Sequence, residues 1–175
     1  MVAAAVILAD DLDVEGIKDS KKLSASEREK LKNRIENSSS RWAVGVVGPE
    51  IVDEINILQA TFLAMRRAVK ELSASPDLVL VDGRFEIPEL GYRQRAVIRG
   101  DSKEIPIAAA SILAKTYRDM LMAGIEVKFP GYGFSRHKGY PTREHIAKLE
   151  KLGPCPAHRK SFRPVCNFIS KKTLN

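Results

Sequence analysis

Long apolar runs, a cysteine framework and low-complexity segments are all missing from this chain, and each absence removes a class of protein. No stretch approaches the roughly 20 apolar residues needed to cross a bilayer, so no membrane span is expected. The opening segment, Met1-Val-Ala-Ala-Ala-Val-Ile-Leu8, lacks a positive n-region and runs directly into Ala9-Asp10-Asp11, so it does not read as a secretory leader. Two cysteines, Cys155 and Cys166, make no disulfide framework and point to a reducing, cytoplasmic setting. With no repeat and no linker, the 175 residues are expected to form one α/β domain over 1–175.

What is present is charge, unevenly placed. The net charge is +7, yet residues 136–175 hold 10 Lys/Arg against 2 Asp/Glu while the preceding 135 hold 19 against 20. Tyr132, Phe134 and Tyr140 lie in or beside that basic quarter. Basic side chains interleaved with aromatics suit a polyanion with stackable faces, so nucleic acid leads as the partner. A solvated basic tail is the plainer alternative.

Four short segments read as strands: 2–8, 42–47, 78–81 and 93–99. Ser24-Ala-Ser-Glu27 matches a capping box and opens a charged helix to Asn37. Pro49 suits the first position of a short helical turn. From Asn56 to Leu72 the residues Ile57, Leu58, Thr61, Phe62, Met65 and Ala68 recur at helical spacing, predicting one apolar stripe. An alanine-rich helix is expected from Pro106 to Ala123 with Gly124 as its stop, and a last basic helix over 142–152.

The chemistry-bearing stretch is Leu78-Val-Leu-Val-Asp-Gly83, a buried strand ending on a carboxylate. Asp82 there is either a turn former or a site residue. A second strand end carries Asp101. If the two strands are neighbours, the carboxylates converge at one sheet edge, where Mg²⁺ binds through one or two carboxylates plus substrate phosphates. Beside a nucleic-acid surface, that pair suggests two-metal phosphodiester chemistry. Lys21, Lys22 and Lys103 are candidate phosphate contacts, with solvated lysines as the alternative. Asp119 follows Arg118 on the alanine-rich helix and reads as a helical ion pair or cap. A rival zinc reading uses His137, His145, Cys155, His158 and Cys166, but only Cys155-Pro-Ala-His158 has chelating spacing, and packing is the simpler account of both cysteines.

Taken together, these residues fit a family. Asp19-Ser-Lys-Lys-Leu23, Asn56-Ile-Leu-Gln-Ala-Thr61, Val79-Leu-Val-Asp-Gly83, Gly100-Asp101, Ala108-Ala-Ala-Ser-Ile-Leu-Ala-Lys115 with Arg118-Asp119, and His137-Lys-Gly-Tyr140 resemble bacterial ribonuclease HII. His158-Arg-Lys-Ser-Phe162 and Pro164-Val165 are similar to its C-terminal signature. The resemblance implies a ribonuclease H-like mixed sheet of five strands flanked by helices. It also implies endonucleolytic cutting of RNA in RNA–DNA hybrids and of single ribonucleotides in duplex DNA, leaving 5′-phosphate and 3′-hydroxyl ends, with Mn²⁺ or Mg²⁺ at four acidic residues. Asp82 and Asp101 match two of those acids, and Tyr140 matches a tyrosine that packs on the sugar at the RNA-to-DNA junction. Ser20, Lys21 and Lys103 are implied near substrate, Asp119, Lys115 and His137 in support, and the protein is implied to be a monomer.

The family pattern opens with a central strand carrying Asp-Glu, followed by Gly-Arg-Gly. This sequence has neither in that context, and Asp10-Asp11, Glu15 and Asp53-Glu54 do not substitute, because none follows an apolar strand into a glycine turn. Two expectations follow. Either the function is that of a full ribonuclease HII whose N-terminal strand lies outside this sequence, or the chain is a catalytically impaired, nucleic-acid-binding remnant.

Overall fold

The computed structural model describes residues 1–17, 23–38 and 40–172, with side chains to residue 169. In chain order the elements are β1 (Val2–Ile7), α1 (Ala25–Asn37), β2 (Arg41–Val46), α2 (Pro49–Lys70), β3 (Val79–Asp82), β4 (Gln94–Val97), α3 (Ile105–Lys128), α4 (Phe134–His137), α5 (Arg143–Leu152) and α6 (Val165–Lys172). A short 3₁₀ turn, Gly100–Ser102, lies between β4 and α3. No described helix is long and apolar enough to cross a membrane. The chain divides into two compact units, one comprising 2–46 and 61–117, the other Met1, 47–60 and 118–175.

The first unit holds the four strands found among the described residues, and they form two separate ribbons. β1 pairs antiparallel with β2 from Val2↔Val46 to Ile7↔Arg41. β3 pairs parallel with β4 from Val79↔Gln94 to Asp82↔Val97. Neither ribbon bonds to the other among the described residues, so the five-stranded sheet implied by the resemblance is present as two two-stranded halves. Two-stranded ribbons are marginal alone, and these are held by helices.

Alternation along β1 sends Ala4 and Val6 to a core with Leu31 and Ile35 of α1 and Ala108, Ala109, Ile112 and Leu113 of α3. Ala5 points to the opposite core, where Phe62 and Val69 of α2 meet Val81 of β3. Helix α1 starts on the expected capping box: Glu27 N–H donates to Ser24 Oγ, and Ser24 N–H donates to Glu27 Oε2 at 2.7 Å. α2 lies on β2 at backbone distance, because a Cβ on Gly45 would sit 1.9 Å from the Ala64 carbonyl oxygen.

Two helix expectations need correction, the extent of the apolar stripe and the stop at Gly124. The break between the segment opened by Pro49 and the helix read from Asn56 is as expected: Asn56 interrupts α2 with φ 67°, ψ 169°. Its side-chain oxygen then accepts from Leu58 N–H and Gln59 N–H, so Asn56 caps the second segment. The apolar stripe shortens accordingly, since Ile57 and Leu58 are exposed while Phe62 and Ala68 are buried. Gly124 does not stop α3, which continues to Lys128. Helical φ/ψ is open to glycine at a modest cost, and its stop signal requires a left-handed residue that Gly124 is not.

The second unit is built on Tyr132, Phe134, Leu149 and Val165, with Cys155 and Phe168 packed against them. Asp53 ties its ends together: the carboxylate accepts from Lys160 N–H at 2.6 Å and from Ser161 N–H at 3.0 Å. Partial burial opposes ionisation of Asp53, but bonds from Ser161 and Lys160 outweigh it and hold the carboxyl below its usual range. Asp53 is thus a structural anchor.

Candidate active site

The parallel pairing of β3 and β4 places Asp82 and the turn carrying Asp101 at the same end of one ribbon. Asp82 is the last residue of β3, opposite Val97, and Gly83 N–H donates back to Val97 O at 3.0 Å. Asp82 Oδ1 accepts from Gly100 N–H at 2.8 Å, which fixes the carboxylate against the turn. Gly100 packs closely there, and a Cβ would meet the tip of the Ile107 side chain, Cδ1, at 2.4 Å. Asp101 is the next residue and is 5% exposed, whereas Asp82 is exposed. Asp101 belongs to the 3₁₀ turn, not to the strand end read from the sequence, because β4 stops at Val97 and Arg99 turns left-handed at φ 56°.

Beside Asp82 lies a cavity of about 600 Å³. Val2–Leu8 line one side and Leu78–Asp82 another, with Met65 and Val69 of α2 and Ile107 and Ala110 of α3 completing the walls. β1 spends one edge on β2, and β3 spends one edge on β4. Their second edges carry no ladder among the described residues. The cavity is therefore flanked by two backbone edges that lack strand partners, with a carboxylate at the end of one of them.

Lys103 is exposed and follows the Asp101 turn, its N–H donating to Gly100 O at 3.0 Å. Lys115 is half-buried on α3. Ser20 and Lys21, with Lys22, lie outside the described residues. In the second unit, Asp119 pairs with Arg118 at 3.4 Å. Arg118 also donates to the Tyr140 hydroxyl at 2.9 Å and sits 5.0 Å from its ring centroid, while Tyr140 as a whole stays 57% exposed. His137 is buried there, its Nε2 2.9 Å from Tyr132 O.

The chain's three histidines, the core of the rival zinc reading, gather in this unit. His137 and His145 stack at 4.1 Å, and His145 Nε2 faces His158 Nε2 at 3.0 Å. Their remaining nitrogens meet protein groups, and burial pushes the His158 imidazole down to about 4. The sequence offers His145 and His158 only as zinc candidates, and their mutual contact has no sequence signal beyond their both being histidine.

Among the described residues no group of three or more His, Cys, Asp or Glu is arranged to hold a metal ion. The carboxylate pair at Asp82 and Asp101 is half the four-acid set implied by the resemblance.

The sequence pattern of the ribonuclease HII family matches residues 1–165. The chain belongs to the ribonuclease HII family. A ribonuclease HII of Nitrosococcus oceani is 49% identical over 169 residues, which cover 97% of this chain and 84% of that protein. Among solved structures, the Archaeoglobus fulgidus RNase HII, determined in complex with PCNA, is 30% identical with a TM-score of 0.71 over 93% of this chain and 87% of that one. The ribonuclease H2 of Pyrococcus horikoshii superposes with a TM-score of 0.75 over the whole of both chains at 23% identity, which speaks to fold alone. Ribonuclease HII is a family of divalent-metal nucleases acting on RNA–DNA hybrids. This chain carries that family's fold with its sheet in two halves.

Proposed function

We propose that this chain binds RNA–DNA hybrids and ribonucleotide-bearing DNA as its family does, but does not itself complete metal-dependent cleavage. The cavity beside Asp82 carries the reading: two strand edges flank it, and two carboxylates stand where the family uses four. Mn²⁺ or Mg²⁺ is the metal of the family reading, and the acids present here do not make a complete site for it. Asp82, held by Gly100 N–H, and buried Asp101 are the two ligands this reading assigns. Tyr140 offers an exposed ring to a sugar face. The basic quarter supplies phosphate contacts, whose contribution falls as salt rises.

The test is direct. The 175-residue chain is mixed with a labelled duplex holding one ribonucleotide, in Mn²⁺, and binding and cutting are followed separately. Binding without cutting is the expected result. Cutting that vanishes in Asp82→Asn would show the two carboxylates to suffice and would overturn the reading.

A further inference from the structure

The three imidazoles form a closed hydrogen-bond assignment that ends on the backbone of Tyr140. Tyr140 O can only accept, so His145 Nδ1, 2.9 Å away, must carry a proton. In a neutral ring that leaves a lone pair on His145 Nε2. His158 Nε2, at 3.0 Å, must then be the donor. His158 Nδ1 is left as an acceptor, and it takes Cys155 N–H at 3.0 Å. Cys155 Sγ at 3.1 Å and Cys155 O at 3.2 Å also flank that nitrogen. The third ring fixes itself likewise: His137 Nε2–H donates to Tyr132 O, and its Nδ1 accepts from Gly139 N–H at 3.2 Å. Each ring holds one proton, and each proton has one place.

The segment these rings support is the one bearing Tyr140. Lys138 and Gly139 both turn left-handed, at φ 51° and 79°. Tyr140 N–H then donates to His137 O, and Thr142 N–H donates to Tyr140 O, each at 2.8 Å. Thr142 Oγ1 in turn accepts from His145 N–H, capping α5. The backbone of Tyr140 is held from both directions while its ring is left exposed. An exposed aromatic on a fixed backbone loses little freedom when it stacks.

We propose that His145, oriented by His158, is a positioning residue for Tyr140: its Nδ1–H sets the backbone from which the Tyr140 ring meets nucleic acid. The nucleic-acid role rests on the function proposed above; the backbone role does not.

Two substitutions separate the ends of the ring. In His145→Asn the amide N–H falls where Nδ1–H was and still reaches Tyr140 O. In His145→Gln the amide reaches the Nε2 end and leaves that carbonyl with Thr142 N–H as its remaining donor. Amide exchange of the full chain should speed up at Tyr140 and Thr142 in His145→Gln, by about three- to tenfold for one hydrogen bond, and stay near native in His145→Asn. Unchanged exchange in His145→Gln, or equal acceleration throughout α5 in both variants, overturns the proposal. Nitrogen chemical shifts of the unsubstituted chain give an independent check. They should place the proton on Nδ1 of His145 and on Nε2 of His137 and His158, and a His145 protonated on Nε2 overturns it. Binding to a duplex with one ribonucleotide then reads the consequence. His145→Gln should weaken it several-fold, and should add nothing in a Tyr140→Ala background. If Tyr140→Ala leaves binding unchanged while the exchange result holds, the nucleic-acid reading fails and the positioning of the backbone stands. If Tyr140→Ala weakens binding and His145→Gln does not, the positioning of the ring fails.

Discussion

Acid should loosen the second unit through its buried histidines. Burial is the main force pushing the His158 imidazole down to about 4, and the neighbouring His145 and His137 add to it, while its Cys155 backbone contact opposes. Burial also lowers His145. In the unfolded chain each imidazole returns to roughly 6.5. The sign follows: above that value both states are neutral and nothing is lost. As pH falls from about 6.5 toward 4, the unfolded chain takes up a proton that the folded one refuses, so stability declines. Between pH 7 and 5, His158 alone is worth about 2 kcal/mol at full strength, and about 1–2 kcal/mol once solvent screening of a partly hydrated ring is allowed for. His145 shifts in the same direction and adds to the loss. Urea unfolding at pH 7 and 5, followed by exchange of the α5 amides, measures it. Asp53 titrates lower, since its hydrogen bonds hold it below the usual carboxylate range. A difference below about 0.3 kcal/mol between the two pH values would refute the reasoning.

Gly45→Ala should destabilise the first unit by about 3 kcal/mol or more, because its new methyl meets backbone of α2 that cannot step aside; thermal unfolding reads the loss. Joining or adding an apolar strand that ends on Asp-Glu should bring Mn²⁺-dependent cutting of a ribonucleotide-bearing duplex, and Asp82→Asn in that assembly should abolish it while binding persists. Duplex affinity should fall steeply between 50 and 200 mM salt, by about tenfold or more if several basic side chains reach phosphates; a flat salt profile would remove the basic quarter from the interface.

Much of the fold was legible because its signals are local. Short apolar runs, one of them weakly alternating, located the four described strands, and Ser24 and Glu27 located the start of α1. The second site carboxylate was legible as a residue but not as a conformation. Asp101 sits in a 3₁₀ turn that follows left-handed Arg99 and sets Gly100 against Ile107, neither of which local propensity reveals. The helix start at Asn56 was legible from the apolar spacing, whereas its capping by its own side-chain oxygen was not. The histidine array was the least legible part, since tautomers and ring contacts arise only once 137, 145 and 158 are brought together from separate segments.

The cavity edge of β1 has a definite rhythm. Met1 and Val47 exchange both backbone bonds, at 2.6 and 2.9 Å. Alternation in an antiparallel ladder then assigns Ala3, Ala5 and Ile7 to β2, and turns the amides of Val2, Ala4 and Val6 toward the cavity. Deuterium should therefore enter β1 at every second residue. An arriving strand would silence that beat, marking its own register on the residues that fall quiet.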